Sequence, residues 1–259
     1  MTEQQTINLS AHPIDKPQYA SQCKESFDQH GVLVLKNFLT QAALTQIIAE
    51  GRQKKPLAFY TRSGHNVYLT PPDPSFAASH PRNRWVNSSK GCITDEQIDA
   101  DSPLRKLYDS KVLQSFLALV MGEEQLHPYA DPLSSINLHY ASRDQELGWH
   151  FDNSSFAITL LIQSPNAGGQ FEYVAKLRDS SNNDMNYAGV EAVLDGKVTP
   201  QKLAISAGDL VLFRGRDALH RVTPTQGDKT RMLAVLAYNC EPGIALSESA
   251  RMTFYGRLS

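Results

Sequence analysis

Three side chains in this 259-residue sequence have types and spacing suited to chemistry: His150 and Asp152 in the run GWHFD, and His220 in LHRVT further along the chain. In a strand, residues i and i+2 project to the same side, so His150 and Asp152 are expected to point together while Phe151 faces the opposite layer. Two ligands from one strand and a third from a neighbouring strand fill one face of an octahedral metal ion and leave three positions open. Imidazole suits Fe(II), and a carboxylate lowers the net charge of the site.

The segment after His220, LHRVTPTQGDKTRMLAVLAYN, reads as strand, turn, strand, with the reversal near Gln226 and Gly227. A turn centred there sets Val222 opposite Arg231 and His220 opposite Leu233, so His220 and Arg231 share a face, offset diagonally by roughly 7–8 Å. A guanidinium in that cavity is costly unless it meets an anion, and its planar fork matches a carboxylate at two points. An acid that chelates the metal at one end and meets Arg231 at the other spans the gap, and 2-oxoglutarate has those two ends. The alternative is an Arg231 on an outer strand paired with a surface acid; a register slip of one residue would turn it there.

These groups need a frame. Helical patterns cover 17–29 and 40–53, where Thr40 is placed to cap QAALTQIIAE, and GVLVLKNFL between them reads as a strand. A further helix is expected from Pro103 to Val120, ended by Gly122. Beyond Leu126 the texture changes to short β-branched and aromatic runs at 134–140, 148–152, 156–163, 169–174, 202–206, 209–213, 219–223 and 231–239. Eight such strands predict a sandwich or jelly roll, with a polar excursion at 176–200 holding a short helix near 187–194. The fold class is α+β. Residues 1–16 read as a flexible N-terminal arm and 17–259 as a single domain with its β core at about 126–240. Residues 54–90, with four prolines in YLTPPDPSFAASHPRNRW, read as a long irregular connection and a candidate lid.

Composition narrows the class of function. Hydrophobic residues at 41% and charged residues at 20% describe a chain that folds around a core. A net charge of -2 with no Lys/Arg tract argues against nucleic acid as a partner. Cys23, Cys92 and Cys240 lie far apart without a C-x-x-C, which argues against a disulfide framework or thiolate zinc site and for a reducing, cytoplasmic setting. The polar N-terminus lacks a secretory pattern, and no apolar run approaches the roughly 20 residues of a membrane helix, so no membrane association is expected. Oligomeric state is left open.

Five segments in order carry a resemblance: IN-HY at 136–140, GWHFDNSSFAITLLIQ at 148–163, GGQFEYV at 168–174, GDLVLFRGRDALHRVTP at 208–224, and Arg231. Together they resemble the Fe(II)/2-oxoglutarate-dependent dioxygenase superfamily. More narrowly, ADPLSSIN, WHFDNSSF, GGQFEYV, the LFRGR-x-x-LHRVTP block and the closing FYGR are similar to its small free-amino-acid hydroxylases and radical halogenases. The resemblance implies a double-stranded β-helix core with N-terminal helices packed on it. It also implies iron held by His150, Asp152 and His220, the distal carboxylate of 2-oxoglutarate held by Arg231, and O2 as oxidant. In the halogenase branch a small residue replaces the carboxylate ligand and opens a position for chloride; Asp152 fills that position here, so the resemblance implies hydroxylation. Leu147 and Asn153 stand where lysine-acting members carry polar residues, which argues against lysine as substrate.

Around this centre, Tyr140 and Asn137 are candidates to bind the co-substrate carboxylate, Tyr140 being otherwise an aromatic core residue. Gly168 and Gly169 read as a turn that also permits close backbone approach. In the lid, Arg84 and Arg82 are candidates to grip a substrate carboxylate and Trp85 to shield the pocket, with plain surface roles the alternative for all three. Trp149 is read either as a substrate contact or as packing behind the site, and Asn153 as a substrate contact or a turn residue. His12, His30, His65, His80, His127 and His139 have no partner at ligand spacing and read as ordinary. The leading expectation is a hydroxylase acting on a free amino acid or similar small polar metabolite. Its competitors are an oxygenase of the same fold acting on a carrier-bound or peptide substrate, and a non-catalytic jelly-roll binding module.

Overall fold

The computed structural model describes residues 3–259. Helices α1 (Glu3–Thr6) and α2 (Pro17–His30) lead into strand β1 (Val32–Leu35) and helix α3 (Gln41–Lys54). Strands β2 (Phe59–Asn66) and β3 (Trp85–Ile93) and helices α4 (Pro103–Asp109) and α5 (Lys111–Met121) follow. Next come β4 (Ile136–Ala141), β5 (Leu147–His150), β6 (Ala157–Gln163), β7 (Ala167–Gly168) and β8 (Phe171–Val174). After α6 (Tyr187–Leu194), the chain forms β9 (Gln201–Leu203), β10 (Leu210–Phe213), β11 (Leu219–Val222), β12 (Thr225–Gln226) and β13 (Arg231–Leu236), then α7 (Glu248–Tyr255).

Local signals set the element boundaries. Pro17 occupies the first turn of α2, and Gly31 ends it in the left-handed region at φ 70°. Thr40 caps α3 by accepting from the Ala43 amide at 3.2 Å. The single helix expected over 103–120 is two, because Ser110 leaves helical geometry and accepts from the Leu113 amide at 3.0 Å, capping α5.

Eleven strands form one curled sheet in the order β1-β10-β6-β13-β4-β3-β5-β11-β8-β9, with β2 on the far edge of β3. Strand β3 pairs with β4 through residues 91–93 and with β5 through Ser88, so it belongs to two walls at once. One wall is β1-β10-β6-β13-β4 and the other β5-β11-β8-β9, the double-stranded β-helix of a jelly roll. The outer face of the first wall carries the helices. Met232, Ala234 and Leu236 of β13 pack with Phe27 of α2, Ile47 of α3 and Phe116 of α5 in the main core. Burying each such large side chain stabilises the fold by about 1.5–3 kcal/mol. The intervening residues Arg231, Leu233 and Val235 face the cavity between the walls.

Three expectations are corrected. Residues 5–16 are not a loose arm: Ile7, His12 and Ile14 are buried, Ile7 bridges to Leu39, and the His12 ring bonds the Lys36 carbonyl at 2.8 Å. Residues 54–90 are not wholly irregular, since β2 and β3 pair in full register from Phe59↔Cys92 to Asn66↔Trp85. Only 67–84 is connection, braced where the Asn83 side chain donates to the Asp73 and Phe76 carbonyls, each at 2.8 Å. The stretch from His220 to Arg231 is not a hairpin either. Strand β11 pairs with β5 and β8, whereas β13 pairs with β4 and β6, so the chain crosses from one wall to the other. Among the described residues, no helix is long and apolar enough to cross a membrane.

Candidate metal centre and cavity

Strands β5 and β11 set the two imidazoles side by side: His150 and His220 are direct cross-strand partners, with ring centroids 4.1 Å apart and planes tilted by 52°. Each ring is fixed by its own strand, His150 Nδ1 to the Gly148 carbonyl at 2.8 Å and His220 Nδ1 to the Ala218 carbonyl at 2.9 Å. A carbonyl only accepts, so each Nδ1 carries the proton and each Nε2 presents a free lone pair. Asp152 lies two residues past His150, its amide donating to the Gly215 carbonyl at 3.0 Å, and its Oδ1 is 3.6 Å from both Nε2 atoms. Phe151 turns away into a separate cluster with Trp149, Val67 and Leu219.

The donor set fits a divalent cation. The three side chains each offer an atom within 4.8 Å of the others, and the buried Asp152 Oδ2 has no hydrogen-bond partner. Distances of 3.6 Å are too long for hydrogen bonds, and buried polar atoms are seldom left unmatched, so the gap between these atoms suits an ion. Burial, with His220 alongside, holds His150 below the ordinary imidazole value and favours its neutral form. Burial alone would raise Asp152, but His220 and His150 outweigh it and keep the carboxyl well below the usual carboxylate range. Residue 215 must be glycine at this approach: a Cβ there would sit 1.8 Å from Asp152 Oδ2.

The same three ligands line an interior cavity of about 340 Å³, and Arg231 lines it too. Arg231 is 6% exposed, and burial pulls its guanidinium down to about 10, with no acid opposing that shift. It reaches the cavity through the register of β13, where it faces Ala141 of β4, not through the hairpin expected from sequence. Gly169, at φ 59°, gives it room, since a Cβ there would lie 2.9 Å from Arg231 Cδ.

The model of the family described as Halogenase D (HalD) matches residues 15–253. The chain belongs to the Halogenase D family. None of the curated proteins matches it in sequence. Among solved structures, this family member is similar to the non-haem α-ketoglutarate-dependent epimerase SnoN of nogalamycin biosynthesis, at 12% identity and TM-score 0.59, covering 86% of this chain and 81% of that one. The carbocyclase SnoK of the same biosynthesis is 13% identical with a TM-score of 0.58, over 84% and 82% of the two chains. A Pseudomonas putida prolyl-4-hydroxylase is 12% identical with a TM-score of 0.51, over 84% and 98%. These likenesses show a shared fold. With the halogenase family match and the His-Asp-His cluster, they make the chain an enzyme of the Fe(II)/2-oxoglutarate oxygenase superfamily.

Several residues singled out from the sequence lie elsewhere in this Halogenase D family member. Tyr140 is fully buried on the helix side of β4, its hydroxyl donating to the Gly51 carbonyl at 2.8 Å, so it does not reach the cavity. Strand parity decides this: Tyr140 pairs with Met232, which faces the core, while His139 pairs with Leu233, which faces the cavity. Tyr140→Phe is therefore expected to leave 2-oxoglutarate affinity unchanged and to lower stability by about 1 kcal/mol, read by urea unfolding. Asn137 donates to the Leu133 and Ile136 carbonyls and accepts from Tyr255, which ties α7 to the sheet. Trp149 packs behind the centre with the Arg221 guanidinium 4.7 Å from its ring. Arg84 pairs with Asp195 and bonds the Leu194 carbonyl, away from the cavity. Asn153 is exposed on a second, outer cleft of about 740 Å³ that also touches Asp152.

Sequence reasoning missed Lys90, His139, His65 and Ser88, all of which line the interior cavity. The signal was present in the alternation of Thr61, Ser63 and His65 along what proves to be β2, but the neighbouring prolines obscured it.

Proposed function

We propose that this enzyme is a hydroxylase, an Fe(II)- and 2-oxoglutarate-dependent dioxygenase that hydroxylates an unactivated C–H of a free amino acid or similar small polar metabolite, releasing succinate and CO2. The observation that carries this reading is Asp152. Its carboxylate stands beside both imidazole Nε2 atoms, where the halogenases that the sequence resembles have a small residue and a place for chloride. His150, His220 and Asp152 would hold the metal. When bound, Fe(II) with 2-oxoglutarate and O2 supplies the oxidation of the C–H bond.

The chain's own part is to ligate, orient and keep dry. The Gly148 and Ala218 carbonyls hold protons on the two Nδ1 atoms and so keep both Nε2 atoms available as donors. Arg231 would hold the far carboxylate of 2-oxoglutarate and match its charge, since the one acid among the described lining residues, Asp152, belongs to the metal set. Leu147, Phe171, Val222, Leu233 and Val235 line the space between and exclude water from it. A cavity of about 340 Å³ suits a small substrate beside the co-substrate.

The outer cleft, with Asn153, Arg178 and Arg216 on its walls, favours a second reading, an oxygenase of a carrier-bound or peptide substrate. Anaerobic titration with Fe(II) and then 2-oxoglutarate is expected to develop a weak visible charge-transfer band. Oxygen-dependent succinate formation, screened across the free amino acids, is expected to rise with the substrate. A protein that binds neither Fe(II) nor 2-oxoglutarate is the binding module instead. A band with no stimulation by any free amino acid points to the second reading.

A further inference from the structure

Strands β2 and β3 form a polar strip along the cavity. Thr61 pairs with Lys90 and Ser63 with Ser88, and all four side chains line the interior space. The strip runs up to the metal centre: His65 Nε2 and Ser88 Oγ are 2.7 Å apart, and the His65 ring lies 6.2 Å from that of His150. Lys90 is the second cation of the cavity. Its ammonium meets no carboxylate; it lies 3.3 Å from His139 Nδ1 and under the Phe254 ring, 5.6 Å from its centroid. Burial, followed by the charges of Lys90 and Arg231, holds His139 well below its ordinary value, so the ring is a neutral acceptor and does not offset the lysine. Among the described residues that line this cavity, Asp152 is the only acid, and it belongs to the metal set.

Neither cation has a carboxylate in salt-bridge contact, and Lys90, half-buried and lowered by burial with only Cys92 and Asp152 opposing, shares with Arg231 the need for an anionic group from outside. The 1-carboxylate of 2-oxoglutarate goes to the metal and its far carboxylate to Arg231, on the reading given above. One anion is then missing. We infer that Lys90, flanked by the Thr61 and Ser63 hydroxyls, is the subsite for a carboxylate or comparable anionic group of the substrate. The same lining offers no acid to a second, cationic end of a substrate, so the site selects against basic side chains. This inference rests on the oxygenase reading, because it assigns Arg231 to the co-substrate.

The test uses the anaerobic enzyme loaded with Fe(II) and 2-oxoglutarate and reads the change in its visible band as a probe binds. The probes are L-norleucine, L-norleucinamide, which lacks the carboxylate charge, and L-lysine, which adds an ammonium to a chain of similar length. Norleucine is expected to bind at least about tenfold more tightly than either of the others. Lys90→Met is expected to bring norleucine and norleucinamide within about twofold while leaving the 2-oxoglutarate titration unchanged, which also shows that the variant is folded. Lys90→Arg is expected to retain the preference.

The assignment is overturned if acid and amide bind alike in the native protein, if Lys90→Met keeps the preference, or if that variant weakens 2-oxoglutarate instead. Lysine binding as tightly as norleucine overturns the exclusion of basic side chains. Should no amino-acid probe alter a band that forms normally, the free-amino-acid reading fails on its own. Hexanoate against hexanamide then decides the subsite, and an absence of acid preference there, including no binding at all, rejects Lys90.

Discussion

His220→Ala is expected to abolish the metal centre, with Fe(II) affinity falling by more than the about 10–100-fold that loss of an outer-shell partner costs. His220 is one of two imidazoles whose Nε2 atoms flank Asp152 Oδ1 at 3.6 Å, so its removal leaves a two-ligand site that cannot define one face of an octahedral ion. Succinate formation should drop by at least about a thousandfold, and the visible band with 2-oxoglutarate should vanish. Because His220 sits at the cavity wall and not in the helix-packed core, its far-ultraviolet circular dichroism should remain native. A variant that retains succinate production within tenfold of the native rate would mean that the three side chains do not act as one ligand set.

Arg231→Met separates binding from stability in opposite directions. Truncating one partner of a buried charge pair costs about 2–5 kcal/mol of binding, so the 2-oxoglutarate dissociation constant should rise roughly 30-fold or more. The same change removes an unmatched guanidinium that is 6% exposed, and buried charges without a partner are destabilising. The protein without co-substrate should therefore unfold at an equal or higher urea concentration than the native one. Weakened co-substrate binding together with a lowered unfolding midpoint would identify Arg231 as a structural residue and not an anion receptor.

The ligand set was legible because it is local: the i, i+2 rule brings His150 and Asp152 to one side, and that parity persists two residues beyond the end of β5. The β-rich half was legible as well, since its strands are short, alternating and bounded by turn residues; 157–163 and 210–213 fall within the expected runs. What failed was pairing. Strand partners in a jelly roll are set by long-range closure, so the sequence neighbours β11 and β13 look like a hairpin yet lie in opposite walls. Arg231 nevertheless faces the cavity, because parity within its own strand, not its register against His220, sets its side. Tyr140 was misplaced by the same ambiguity, as nothing local tells which face of INLHYA meets the helices. The strip of β2 and β3 alternates in polar residues, a weaker mark than an apolar stripe and one masked by the prolines nearby, and Lys90 and Ser88 join it only when the two strands pair.

The contact between residue 215 and the metal carboxylate binds two distant positions of the chain into one evolutionary choice. An aspartate at 152 leaves no volume for any side chain at 215, where even a methyl carbon would fall 1.8 Å from an oxygen. A descendant that exchanged the carboxylate for a small residue would free that volume and release the selection for glycine. The reverse path is barred until the glycine is restored. Substitutions at these two sites should therefore accumulate in a fixed historical order, with the carboxylate lost before the glycine and regained after it.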